Sequence, residues 1–188
     1  MSARRVLVTG GAGFIGSRLA AQLRDRGDEV VVLDDLSMGT RERVPEGVRL
    51  EVGDVRDAGA VAGALRGVHV VFHLAARVSI RKSVENFRDD HDVNLGGTLT
   101  LLEALEGTSV SRLVYASSMA VYADGAPGAR LTEEHPTMPL GPYGVSKLAA
   151  EHYCRVVTQG LGVEQVSLRY FNTWGPGQTL TPYVGVAT

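Results

Sequence analysis

Residues 142–147 read PYGVSK, with Tyr143 and Lys147 four positions apart. On a helix that spacing puts both side chains on one face. A cation close to a phenol stabilises the phenolate and lowers the tyrosine pKa from about 10 toward neutrality. Such a pair can give a proton to a hydroxyl or take one from it. The bland alternative is two surface residues on an ordinary helix, but with only two lysines, Lys82 and Lys147, and six tyrosines in 188 residues, chance pairs at this spacing are uncommon. Ser117 and Ser118 end the apolar run SRLVYASS, where a hydroxyl could hold the same reacting group.

A second stretch suggests what would react with that hydroxyl's carbon. VTGGAGFIG follows a short apolar run and opens a helical pattern. Gly11, Gly13 and Gly16 satisfy the usual dinucleotide spacing, and Gly10, Gly13 and Gly16 a wider one. Glycines there permit a tight turn, and backbone N–H groups and the helix N-terminus can then meet a pyrophosphate. Asp34 lies 18 residues after Gly16, at the end of the next apolar run. A carboxylate in that place accepts from both ribose hydroxyls and repels a 2′-phosphate, which favours NAD over NADP.

The elements that must position these residues alternate regularly. RRVLVTG, EVVVLDD, VRLEVGDVRD, VHVVFHLAA, SRLVYASS and VEQVSLRYFN read as six buried strands. Between them, GFIGSRLAAQLRDRG, DAGAVAGALRG, DDHDVNLGGTLTLLEALEG and YGVSKLAAEHYCRVVTQG read as helices. Strands alternating with helices imply right-handed crossovers and a Rossmann-type, doubly wound parallel sheet covered on both faces. One domain is expected over residues 1–188. The longest irregular stretch, MAVYADGAPGARLTEEHPTMPLGP, is too long for a simple connector and is expected to contribute to a site.

Composition excludes several classes. Hydrophobic residues are 44%, charged residues 21%, and the net charge is −2, which argues against a nucleic-acid surface. Cys154 is the single cysteine, so no intramolecular disulfide can form; in a helical run it reads as a small core thiol. The start MSARRVLVTG enters a strand with no signal-peptide apolar region, and no run reaches the roughly 18 apolar residues of a membrane span. A soluble, cytoplasmic protein is expected, and no metal.

Taken in order, TGGAGFIG, DDLSMG, GDVRD, HLAARVSIRKSV, YASSMAVY, PYGVSK and RYFNTWGP resemble the extended short-chain dehydrogenase/reductase family. Within it, the likeness is to the UDP-galactose 4-epimerase branch of nucleotide-sugar enzymes. The resemblance implies Ser118, Tyr143 and Lys147 as catalytic residues. It implies a cofactor set of Gly10, Gly13, Phe14, Ile15 and Gly16, then Asp34, Asp35, Leu36, Ser37 and Gly39. Asp54 and Val55 would lie at adenine, Leu74, Ala75, Ala76, Arg77 and Ser117 elsewhere along NAD, and Tyr170 and Phe171 near the nicotinamide; Tyr143 and Lys147 would also contact the cofactor, Lys147 at a ribose. Asn172, with Ser118 and Tyr143, would contact a nucleotide sugar, and Asn94 matches a helix asparagine of structural or active-site role.

The implied reaction is transient oxidation to a 4-keto sugar and return of the hydride to its other face. Related dehydratases carry Asp-Glu just after the catalytic hydroxyl, and related decarboxylases a glutamate in the second place. Here Met119 and Ala120 stand there, which argues against both lyase types and leaves epimerisation or simple oxidoreduction. Phe87 and Trp174 depart from the family pattern. Family members usually continue for more than a hundred residues beyond RYFNTWGPGQTLTPYVGVAT, so 170–188 would begin a substrate-binding part. A fragment, a naturally short member and a non-catalytic NAD-binding module remain open readings. The resemblance also implies a homodimer through helices near 88–107 and 143–159, although their apolar faces could equally cover the sheet.

Overall fold

The computed structural model describes residues 4–126, 128 and 130–178. Six strands form one parallel sheet in the order β3-β2-β1-β4-β5-β6. They are β1 (Arg5–Thr9), β2 (Glu29–Asp34), β3 (Arg49–Val52), β4 (Val70–His73), β5 (Arg112–Ser118) and β6 (Glu164–Tyr170). The order reverses between β1 and β4, and in open α/β sheets ligands bind beyond the strand C-termini at that switch point. Alternation along β1 divides the core. Leu7 faces a layer with Val31, Val71 and Leu113, covered by α2 (Ala58–Ala64), α5 (Gly97–Glu103) and α6 (Pro142–Leu161). Val6 and Val8 face α1 (Phe14–Asp25) through Ala20 and Leu23.

Helices therefore lie on both faces, but unequally. Register carries the α1 face outward from Val8 through Phe72 and Val114 to Val166, which stands exposed with Leu168 on β6.

The expected helix in DDHDVNLGGTLTLLEALEG is broken up. It begins as α4 (Phe87–His91), passes through a π-helical turn over Asp92–Gly96, and resumes as α5. A further helix, α3 (Ile80–Glu85), occupies SIRKSV, where the sequence pattern shows no helical period; Ser79 caps it by accepting from Lys82 N–H. The last helix runs one residue past Gly160 and stops at Gly162, which takes the left-handed conformation at φ 69°. Residues 179–188, including the family-like TPYVGVAT, lie outside the described residues.

A polar chain crosses this apolar frame. The Thr98 hydroxyl donates to the Asn94 carbonyl at 2.7 Å, so it accepts from His73 Nε2–H at 3.0 Å. His73 Nδ1 then accepts from the Thr9 hydroxyl at 2.7 Å, whose oxygen takes the N–H groups of Leu74 and Ala75 at 3.2 Å each. Thr9, His73 and Thr98 are fully or almost fully buried. The network fixes His73 as the neutral tautomer with its proton on Nε2.

Gly144 of α6 lies against a 3₁₀ turn at Met119–Val121. A Cβ on Gly144 would fall 2.1 Å from the Ala120 carbonyl oxygen and 2.8 Å from Pro139 Cβ. Gly144→Ala should therefore cost about 1–3 kcal/mol in urea unfolding. Gly160→Ala, where a Cβ meets nothing within 4 Å, should be stabilising by up to about 1 kcal/mol. Equal effects at the two positions would contradict the packing.

Burial lowers the His73 pKa from 6.5 to about 3. The unfolded chain then binds a proton that the native state does not, so stability is full above about 6.5 and falls with pH toward about 3. Denaturant titrations should show a loss of about 2 kcal/mol between pH 7 and 5, above the carboxylate range; a flat profile would contradict the neutral buried ring.

Candidate active site

The glycine loop is a cradle that side chains would fill. A Cβ on Gly16 would sit 2.3 Å from the Gly10 carbonyl oxygen, and one on Gly10 would sit 2.7 Å from Ala75 N. Gly10 also has φ 70°, which only glycine adopts without strain. Gly39 closes the other side, where a Cβ would fall 2.6 Å from the Ala12 carbonyl. Gly13 caps α1 with no side-chain acceptor, and Phe14, Ile15 and Gly16 form its first turn, so its leading N–H groups have no partner within the helix.

Asp34, buried at the end of β2, accepts from Ala12 N–H and Leu36 N–H, each at 2.9 Å. Leu36 is the one non-glycine among the described residues with positive φ, 58°. Asp35 accepts from the Ser37 N–H and hydroxyl. Arg77 spans the mouth, donating to Ser37 Oγ at 2.8 Å and pairing with Asp89 at 3.3 Å. Its backbone is held both ways by Asn94, whose Oδ1 accepts from Arg77 N–H and whose Nδ2 donates to Arg77 O.

Asp54 is engaged by the Arg56 guanidinium, which holds its carboxyl below the usual range. The Val55 side chain belongs to the core, against Gly97. Leu74, Ala75 and Ala76 are half-buried beside the glycine loop.

Across the switch point, Ser117 and Ser118 end β5. Ser117 Oγ is buried with no hydrogen-bond partner, a free polar atom at the strand end. Ser118 Oγ accepts from Ala120 N–H at 3.2 Å and also engages the Tyr143 phenol. Tyr143 and Lys147 share the inner face of α6, both buried, at 8% and 2% exposure. Lys147 Nζ donates to the Ala116 carbonyl at 2.9 Å and lies 4.9 Å from the Tyr115 ring centroid and 6.0 Å from that of Tyr143.

Burial acts on both members of the pair. Burial raises the Tyr143 pKa, the hydrogen bond with Ser118 opposes it only in part, and the Asp90 charge adds to the rise. The chain's own residues thus keep the phenol protonated. Burial also lowers Lys147 from 10.5 to about 8, so it remains mainly an ammonium at neutral pH. Cys154 behaves as expected, its thiol pushed up to about 12 by burial.

Sequence reasoning missed the hydroxyls that seat α6. The Tyr143 N–H, an unpaired donor in the first turn, goes to Ser83 Oγ of α3 at 3.3 Å. Glu151, one further turn along the Lys147 face, pairs with Arg169 of β6 at 2.9 Å, and that guanidinium lies 4.8 Å from the Tyr122 ring centroid. Just past β6, Phe171 and Asn172 are exposed, with Phe171 stacked obliquely at 6.4 Å on Tyr122. Tyr170 is half-buried, and burial raises its pKa. Among the described residues no cluster of His, Cys, Asp and Glu could hold a metal, and no helix is long and apolar enough to cross a membrane.

Comparison with known proteins places this geometry. The model of the NAD dependent epimerase/dehydratase family matches residues 6–185. A UDP-glucose 4-epimerase of Streptomyces lividans is 41% identical over 174 residues, 91% of this chain and 53% of that protein. The crystal structure of a Thermus thermophilus UDP-glucose 4-epimerase in complex with NAD superposes with TM-score 0.89 and 48% identity, covering 93% of this chain and 57% of that one. That of Thermotoga maritima UDP-glucose 4-epimerase with UDP-glucose gives TM-score 0.91 and 32% identity, covering 96% and 60%. The chain thus spans a little over half the length of these relatives, and on the family match over nearly its whole extent it belongs to the NAD dependent epimerase/dehydratase family.

Proposed function

We propose that the protein is an NAD-dependent nucleotide-sugar 4-epimerase of the UDP-glucose/UDP-galactose type, and that this chain carries its cofactor cleft and proton-transfer pair. The observation that carries the reading is the buried pair Tyr143 and Lys147, with half-buried Ser118 beside it, across the switch point from a glycine cradle closed by Asp34. The relatives named UDP-glucose 4-epimerase support the substrate class.

The cradle, the Asp34 carboxylate and the unpartnered Ser117 hydroxyl fit a dinucleotide. NAD, when bound, supplies the hydride acceptance and return that interconvert 4-epimers through a 4-keto sugar. In this reading Ser118 holds the sugar 4-hydroxyl, and Tyr143, ionised once the cleft is loaded, would take its proton and return it. Lys147 supplies positive charge under the phenol. Asn172, exposed after β6, would meet the diphosphate, and Asp54 would lie at adenine. The turn after Ser118 presents Met119 and Ala120, with no titratable group to drive elimination or decarboxylation. That favours epimerisation over the lyase alternatives.

A homodimer belongs to the same proposal. Leu101, Leu102 and Leu105 cover the sheet, but Val145, Tyr153 and Val156 of α6 face outward, about half exposed, with Phe87 and Leu140 beside them. Pairing α4 and α6 across a two-fold axis would bury these residues.

Tyr143→Phe should lower UDP-galactose to UDP-glucose conversion by at least about 100-fold while leaving NAD affinity unchanged by calorimetry. Unchanged turnover would remove Tyr143 from its role. Light scattering should give twice the chain mass, reduced to one chain by Val145→Glu with Val156→Glu; a monomer before substitution would refute the pairing.

A further inference from the structure

Between Tyr143 and Lys147 stands Ser146, 3% exposed, whose hydroxyl donates to Asp90 Oδ2 of α4 at 2.9 Å. The other oxygen of Asp90 accepts from Asn94 Nδ2 at 3.0 Å. Asp90 is 2% exposed, so an anion is buried with two neutral donors. A buried carboxylate so placed needs a compensating cation or it takes up a proton.

The charged and titratable groups around Lys147 come from four elements. They are Asp90 from α4, Tyr143, Glu151 and Cys154 from α6, Tyr115 from β5 and neutral His73 from β4. The charge of Glu151 is already matched by Arg169, which grips both of its oxygens at 2.9–3.0 Å. Asp90 has no such match in its two neutral hydrogen bonds, and of the groups that favour the charged lysine it acts most strongly. Lys147 in turn favours the ionised carboxyl of Asp90, against burial and against Asp89.

We propose that Asp90 is a positioning residue of the Tyr143–Lys147 pair: through Ser146 and Asn94 it pins the first turns of α6 to the π-helical turn and seats a buried carboxyl group on the residue that adjoins Lys147. The proposal rests on the proton-transfer reading of that pair for its catalytic meaning. Its physical content, coupling between two buried charges, does not. The arrangement also assigns a task to the π-helical turn. Asn94 there accepts from the Arg77 N–H through Oδ1 and donates from Nδ2 to both the Arg77 carbonyl and Asp90, so the cofactor mouth and the catalytic helix share one asparagine.

The chain suits a direct test because Lys82 is its only other lysine. With ¹³C at the lysine Cε, two signals are seen, and Lys82→Arg assigns the remaining one to Lys147. In the unsubstituted chain it should titrate near 8. Asp90→Asn should bring that midpoint down by about one pH unit, a tenfold change in proton affinity. By reciprocity, Lys147→Met should raise the Asp90 midpoint, read from its ¹³Cγ, by a similar amount. This second arm carries the test if Asp90→Asn does not fold. Midpoints that stay within about 0.3 unit in a folded variant would overturn the proposal. The titration is indifferent to turnover, so failure of the Tyr143 assignment and failure of the Asp90 coupling are separate results.

Discussion

An ammonium group at 2% exposure is the constraint around which the rest of this molecule is arranged. Removing a charged amine from water costs several kcal/mol even after relaxation, comparable with the whole stability of a domain. Lys147 recovers part of that through one carbonyl, the face of Tyr115, and the carboxylates of Asp90 and Glu151. Each of these must be held in place by something else. Arg169 holds Glu151, Ser146 and Asn94 hold Asp90, and strand pairing holds Tyr115 and Ala116. The segments around the site therefore serve the lysine's solvation as much as any substrate.

The same polar atoms tie the two sides of the cleft together. From the N–H groups of Leu74 and Ala75 the bonds run through Thr9, His73 and Thr98 to the Asn94 carbonyl. From the Asn94 side chain they run through Asp90 to Ser146 on α6. Both threonine hydroxyls in the chain donate and accept, so reversing one bond would force its neighbour to reverse as well. A neutral His73 is required at the centre, which is why its burial is tolerated. The glycine cradle and the proton-transfer helix are thus positioned by one buried network as well as by one sheet.

Much of the frame is legible in the sequence because its signals are local. Valine-rich runs mark the strands, glycine spacing with Asp34 marks the cradle, and the four-residue step gives Tyr143 and Lys147 a common face. What escapes depends on partners far apart. Asp90 and Ser146 are 56 residues apart and Ser83 and Tyr143 are 60 apart; Ser146 fits the pattern of an ordinary helix, and Ser83 lies in a segment whose pattern shows no helix at all. The break in the helix over Asp92–Gly96 has no marker beyond two glycines, which a helix interior also tolerates. Among the described residues, coverage of the second sheet face is thinner at β6 than the pattern suggests, because alternation reports that a strand has two apolar sides, not what lies on them.

The sign of the Tyr143 shift escapes the sequence for a different physical reason. Sequence names the neighbours of a group, but desolvation depends on how completely the fold closes over it. Here closure, with the Asp90 charge, outweighs Ser118, and the phenol keeps its proton. On the proposed reading this has a chemical consequence. A phenol that the protein alone does not ionise would act as a base only once further positive charge in the loaded cleft had let its own proton leave to solvent, after which the sugar hydroxyl would donate to the phenolate. Proton transfer is then confined to the loaded cleft, and Lys147 acts as a standing bias that falls short of ionising Tyr143 by itself. The buried ammonium, costly in the folded chain, is what makes that bias available before any ligand enters.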